Sequence, residues 1–256
     1  MTMVGMIGWL VNTTRIDIAH AHSRIAQHQS TPTVSALKTA RRVFRYLKGT
    51  ADLCLRSALY QPDLDLSTSS SEQHAAHHPS NNSGWEFHCD TDFAGNDEPQ
   101  NKRRSQNGFV AMLNGAPVQW HSKVSSVAFA HPDIGESHAD IFSGAAEVYG
   151  SSSATFEILH MSYVADEMGL DFPRPFFLQM NNTAAIAFSK NTCFKSKLKH
   201  IDVRQEWVRT LRNKDIMLPV HVSSALNLAD ILTKILSTAE FLRMRERLLF
   251  ANPKSA

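Results

Sequence analysis

Three carboxylates and one amide in this 256-residue sequence stand where metal chemistry would need them. Asp90 and Asn181 each close a stretch of strand composition, while Glu147 and Asp230 fall in the first turns of two expected helices. Carboxylates are hard oxygen donors suited to Mg²⁺ or Mn²⁺. Acids at the ends of neighbouring strands, joined by acids from two helices, would hold two such ions about 4 Å apart, an arrangement suited to in-line hydrolysis of a phosphodiester. The same residues also have an ordinary reading. The macrodipole favours Asp and Glu at helix starts, and that reading fits Glu147 and Asp230.

The order of the surrounding elements decides whether these groups can meet. Trp85–Asp90 has strand composition, and Asn107–Leu113 and Ala116–Trp120 are joined through Asn114-Gly115, a hairpin signal because both residues tolerate positive φ. An extended continuation is expected from Ser125 to Ala130, and an irregular excursion from His131 to Phe142. Ala145–Glu167 lacks proline and precedes Gly169, so it predicts a long helix. Then follow a strand (Pro175–Asn182), a short helix (Ala184–Lys190), a helix (Ile201–Arg212), a strand (Ile216–Val222) and a helical stretch from Asn227 to about Phe250. The order βββαβ(α)αβα predicts a mixed α/β layer architecture in which the ends of the first and fourth strands lie side by side.

Before these elements lie two helical patterns, Met3–Gln29 and Val34–Lys48. The second opens after Thr31-Pro32-Thr33 and closes at Gly49. Leu37, Ala40, Phe44 and Leu47 make its expected buried stripe, and Lys38, Arg41, Arg42, Arg45 and Lys48 cover the remainder without an intervening acid. Those cations read as a solvated face or as a face that tracks phosphates. Between the two regions, Gln61–Gly84 is rich in Ser, His and Asn and reads as a linker. The expected division is therefore 1–60, 61–84 and 85–256.

Composition narrows the class. Hydrophobic residues make up 43% and charged residues 20%, values of an ordinary globular chain that exclude collagen, coiled coil and wholesale disorder. A net charge of +2 gives no global field, so any nucleic-acid contact must use local patches. Cys54, Cys89 and Cys193 are odd in number and far apart, which fits a reducing compartment rather than a disulfide framework. The longest apolar run, Met3–Val11, is too short to span a bilayer, and no membrane partner is expected. An intracellular location is expected, cytoplasmic or nuclear, with no address signal to choose between them.

Other clusters carry less. His74, His77 and His78 lack a partnered Cys or carboxylate, and Lys102-Arg103-Arg104 reads as a solvated loop or a nucleic-acid contact. His221 reads as a packed strand residue or as a proton shuttle. Ser143 and Ser151–Ser153 have no His–Asp arrangement beside them, and no Gly-rich phosphate loop is present.

Six short segments occur in one order: Cys89–Gly95 (CDTDFAG), Gly108–Lys123 (GFVAMLNGAPVQWHSK), Ala146–Gly150 (AEVYG), Asn181–Ile186 (NNTAAI), Lys199–Arg204 (KHIDVR) and Leu228–Lys234 (LADILTK). Together they resemble the ribonuclease H domain of copia-type LTR retrotransposon Pol polyproteins. Ile7–Ala21 (IGWLVNTTRIDIAHA) and Ala40–Thr50 (ARRVFRYLKGT) resemble the end of the same family's reverse transcriptase. The resemblance implies a ribonuclease H-like mixed five-stranded sheet flanked by helices, preceded by a small, mainly helical segment. It implies cleavage of the RNA strand of an RNA–DNA hybrid with two Mg²⁺ or Mn²⁺ ions. Asp90, Glu147 and Asp230 would be the metal-binding acids, and Asp92 an outer-shell residue. Lys199, His200 and Arg204, helped by Arg41 and Arg45, would meet nucleic acid. The remainder of the Pol polyprotein, with the reverse transcriptase palm and fingers, would be a partner.

Three departures qualify that expectation. Asn181 stands where the family carries an aspartate, and an amide supplies no negative charge to a second cation. The segment between Ala130 and Ser143 is longer than the family pattern needs. The palm with its paired aspartates is absent from these residues, so no DNA polymerisation is expected. Two readings stand: a metal-dependent endonuclease, and a catalytically impaired, nucleic-acid-binding remnant of a decayed element.

Overall fold

The computed structural model describes residues 2–55, 84–93, 104–126, 139–190 and 199–251. The N-terminal region contains helices α1 (Met3–Thr13), α2 (Ala19–Ala26) and α3 (Val34–Lys48), then the short strand β1 (Leu53–Leu55). Thr2 and Thr33 cap the first and third of these by accepting from Gly5 and Ala36 amides. The single helix expected over Met3–Gln29 is broken at Arg15, which leaves helical geometry (φ −117°, ψ 70°) and is followed by a 3₁₀ turn at Ile16–Ile18. A buried ion pair accounts for the break. Arg15 donates to both Asp17 carboxylate oxygens at 2.8 and 2.9 Å, and reaches the Thr50 carbonyl and hydroxyl. Tyr46 donates to the same carboxylate at 2.6 Å.

The later region is built on five strands: β2 (Trp85–Asp92), β3 (Gln106–Leu113), β4 (Ala116–Val124), β5 (Phe176–Met180) and β6 (Met217–His221). Their order is β4-β3-β2-β5-β6. The first three form an antiparallel meander, and β5 and β6 run parallel to β2. Asn114 and Gly115 take φ of 50° and 77° at the hairpin tip, the left-handed pair expected of that dipeptide. Helices α4 (Ala139–Glu167), α5 (Thr183–Lys190) and α6 (Lys199–Asn213) accompany the sheet. A 3₁₀ turn at Leu228–Leu232, helix α7 (Thr238–Leu248) and strand β7 (Leu249–Ala251) complete the described fold.

Side chains alternate along β3 to make two cores. Phe109 and Ala111 join Phe87, Ala154, Ile158 and Leu178 on one face. On the other, Val110 and Met112 join Ile7, Ile16, Ile25 and Val43 of the N-terminal region with Leu228, Leu232 and Leu248. The N-terminal helices thus share a core with the sheet and the C-terminal turn. Trp120 on β4 donates its indole N–H to the Val11 carbonyl at 2.8 Å, and β1 pairs antiparallel with β7.

Several boundaries differ from the expectations. On α3 the buried line runs through Ala40 and Val43, whereas Leu37 is exposed. Helix α4 starts six residues before Ala145, so Glu147 sits in its third turn and the helix-start reading fails there. The final stretch is not one helix. Thr233 ends the 3₁₀ turn, and a separate capping box between Ser237 and Glu240 starts α7, so Asp230 belongs to the isolated turn. The extended stretch expected up to Ala130 ends as a strand at Val124. His74, His77, His78, Lys102, Arg103, Cys193 and the excursion at 131–138 lie outside the described residues.

Candidate active site

Strand β2 organises the site. Asp90, near its end, is 2% exposed, and the neighbouring strand offers Gly108 directly opposite. The turn carrying Asp230 lies over that glycine. A Cβ on Gly108 would come within 2.9 Å of the Ala229 carbonyl and 2.7 Å of Thr233 Cγ2, so no larger residue admits the turn without movement. Asn227 fixes the turn from its start by donating to the Cys89 carbonyl at 3.0 Å and accepting from the Ala229 amide. His88 Nδ1 accepts the Leu228 amide, and Ser122 donates to the Leu232 carbonyl. Asp230 is thereby held against β2 by groups from three strands and its own cap.

Glu147 arrives from α4, the helix that packs Ala154 and Ile158 against Phe109 and Ala111. Gly150, one turn further on, lies against the Thr91 side chain with no room for a Cβ, so the helix approaches β2 closely at this level. Glu147 and Asp230 are 7% and 4% exposed. Burial, then the Asp90 charge, push the Glu147 carboxyl up to about 8 and the Asp230 carboxyl up to about 6. The Asn182 amide and Lys234 oppose the rise at Glu147. A protein that buries three acids together has negative charge left to neutralise.

Part of that charge is met by a residue the sequence reading quoted only inside a motif. Lys234 Nζ lies 3.2 Å from Asp90 Oδ2 and 3.2 Å from Asp230 Oδ1. Thr233 donates its hydroxyl to the same Asp90 Oδ2. The i, i+4 spacing of Asp230 and Lys234 was the available signal, because it places both on one side of a turn.

Asn181 stands just beyond β5, half-buried, and donates its amide to Ser224 at 3.1 Å. Asn182 accepts the Ala185 amide as the cap of α5 and supports Glu147. Asp92 is the last residue of β2. Arg204 places its guanidinium 3.9 Å from the Tyr149 ring centre and donates to Ser152, so it clamps α6 to the Glu147 helix. Lys199 and His200 begin α6. Arg41 and Arg45 flank an apolar cavity with Met3, Lys38 and Phe44, whereas Arg42 points toward a cavity that Lys234 also lines. His221 ends β6 exposed, against the packed role expected for it.

The donor set is chemically suited to a divalent cation, being three hard carboxylates short of positive charge. Asp230 Oδ1 is buried without a hydrogen bond, and Lys234 is its ionic neighbour. As they stand, however, no three of His, Cys, Asp and Glu among the described residues are placed to hold one ion together.

A mixed sheet in this order, flanked by helices and carrying buried acids at the end of its first strand, defines a ribonuclease H-like α/β fold. Sequence relatives agree with the resemblance. The chain is 25% identical over 239 residues to the retrovirus-related Pol polyprotein from transposon TNT 1-94 of Nicotiana tabacum, covering 93% of this chain. It is 26% identical over the same length to that from transposon RE1 of Arabidopsis thaliana. A putative transposon Ty5-1 protein of Saccharomyces cerevisiae matches at 31% over 123 residues, 48% of this chain. The chain is thus similar to retrovirus-related Pol polyproteins of plant transposons, and spans 15% and 14% of the length of the two named here. No family model matches. Among solved structures, LC11-RNase H1 in complex with RNA/DNA hybrid aligns with a TM-score of 0.37 and 14% identity, over 58% of this chain and 93% of its own. Among the described residues, no helix is long and apolar enough to cross a membrane.

Proposed function

We propose that this chain is the ribonuclease H-like portion of a transposon Pol polyprotein, acting on the RNA strand of RNA–DNA hybrids with divalent cations and at a reduced rate. The observation that carries this reading is the convergence of Asp90, Glu147 and Asp230, three buried acids from three separate elements with negative charge in excess. Asp90, Glu147 and Asp230 would hold Mg²⁺ or Mn²⁺, which supplies activation of water and stabilisation of the leaving oxygen. Thr233 and Lys234 orient the Asp90 carboxylate, and Asn182 steadies Glu147. Asn181 contributes an amide where charge would serve better, and a site that stabilises the transition state less reacts more slowly by about tenfold per 1.36 kcal/mol.

A second reading is favoured by the amide at Asn181 together with the absence, among the described residues, of a ready three-acid ligand group. In it the chain binds hybrids without cutting them. Cleavage of a labelled RNA–DNA hybrid in Mg²⁺ and in Mn²⁺ separates the two. The native chain should cut slowly, and Asp90→Asn should not cut at all. A folded native chain that binds the hybrid yet leaves it intact in both metals establishes the second reading.

A further inference from the structure

Lys234 occupies the position that a cation shared by Asp90 and Asp230 would take. Its ammonium is 3.2 Å from Asp90 Oδ2, 3.3 Å from Asp90 Oδ1 and 3.2 Å from Asp230 Oδ1. We propose, building on the metal-dependent reading above, that Lys234 is an intramolecular competitor for divalent cations. It holds the Asp90–Asp230 position itself, and a metal ion enters there only when the lysine withdraws.

Three features make the lysine a displaceable arm rather than a fixed partner. Its backbone follows the turn that carries Asp230, so the pair is built at one i, i+4 spacing and needs no distant element to assemble it. Asp90 has a second, independent anchor in Thr233, so the carboxylate keeps its orientation when the ammonium leaves. The Lys234 side chain is 32% exposed and lines a cavity of about 520 Å³ between α2, α3 and the segment up to Phe241, which gives the arm room to move. Glu147 makes no ion pair with the lysine among the described residues, and its carboxyl, held protonated by burial and by the Asp90 charge, would release its proton as a cation binds there. A chain with a lysine on one side and Asn181 in place of a carboxylate on another is therefore biased toward a single divalent ion.

Competition is reciprocal: the factor by which a bound cation weakens the lysine contact is the factor by which the lysine weakens the cation. The test is Mn²⁺ binding to the whole chain, read by loss of the free-ion paramagnetic resonance signal and by calorimetry. Lys234→Met should bind one more Mn²⁺ than the native chain, or bind it at least roughly tenfold more tightly, within the usual span of such couplings. Lys234→Arg, which keeps the charge, should stay within a few-fold of native. Measurable binding that is the same in number and affinity for native and Lys234→Met overturns the role of the lysine while leaving the metal reading intact. No Mn²⁺ bound by native, Lys234→Met or Asn181→Asp, all shown folded by circular dichroism, overturns the metal reading and this proposal with it. A measurement on the native chain alone guards against misfolding of the variant: saturating Mg²⁺ should increase acylation of Lys234 by an amine-reactive reagent. Unchanged labelling counts against displacement.

Discussion

Asp90 and Gly108 face one another across β2 and β3, and the space left by the missing side chain of Gly108 is filled by Ala229, Leu232 and Thr233, the neighbours of Asp230 in its turn. One acid is thus placed by the strand and another by an absence on its neighbour. Gly108→Ala should force the turn outward, and overpacking of this kind costs roughly 1–3 kcal/mol. Urea denaturation should show the lower midpoint, and an unchanged midpoint would mean that the turn adapts without loss.

Glu147 links the site to pH. Its carboxyl is pushed up to about 8, so between roughly pH 4.5 and 8 the folded chain holds a proton that the unfolded chain has released. Folding stability of the metal-free protein therefore falls as pH rises through this window. His20 and His121, both pushed down to about 4 chiefly by burial, act in the opposite sense below about pH 6.5. The Glu147 effect should consequently stand alone from about pH 6.5 to 8. There it amounts to the order of 1–2 kcal/mol. Denaturation midpoints across that range should slope downward for the native chain and run flat for Glu147→Gln.

Asn181→Asp should raise the rate of hybrid cleavage in Mg²⁺ by tenfold or more, since each 1.36 kcal/mol regained in the transition state is about a factor of ten. Asp90→Asn in the same background should abolish it. If the single substitution leaves the rate unchanged, the amide is not what limits this site.

Asp17 should matter to stability far more than its distance from the chemistry suggests. It neutralises Arg15 in a buried pair and receives the Tyr46 hydroxyl, whose pKa is pushed up to about 12, first by burial and then by Asp17. Removing one member of a buried pair costs about 3–5 kcal/mol. Asp17→Asn should show a loss of that order in thermal or chemical unfolding, and a loss below about 1 kcal/mol would mean that the amide can replace the carboxylate there.

The strands and most helices were legible because their signals are local. Asn114-Gly115 forced a turn, and Val34–Lys48 carried its own cap and stop. Strand ends and motif order also singled out Asp90, Glu147 and Asp230, all three of which the structure buries. What escaped were features decided by contacts distant in sequence. Arg15 breaks a helix because Asp17 and Thr50 are both within reach, and Leu37 is exposed because the partners of α3 lie along Ala40 and Val43. Lys234 was hidden for the same reason, since its meaning depends on Asp90, 144 residues earlier.

The pairing of Leu53–Leu55 with Leu249–Ala251, beside a core shared by Ile7, Val110 and Leu248, has a consequence for how the polypeptide tolerates cutting. A nick between residues 56 and 83 would leave two fragments still zipped by a two-strand ribbon and by common apolar packing. They should copurify as a non-covalent heterodimer. Residues 85–256 expressed alone would bare Val110, Met112 and Leu228, and should regain solubility when the first 55 residues are supplied in trans. In such a reconstituted split protein, the N-terminal fragment acts as an obligate folding subunit.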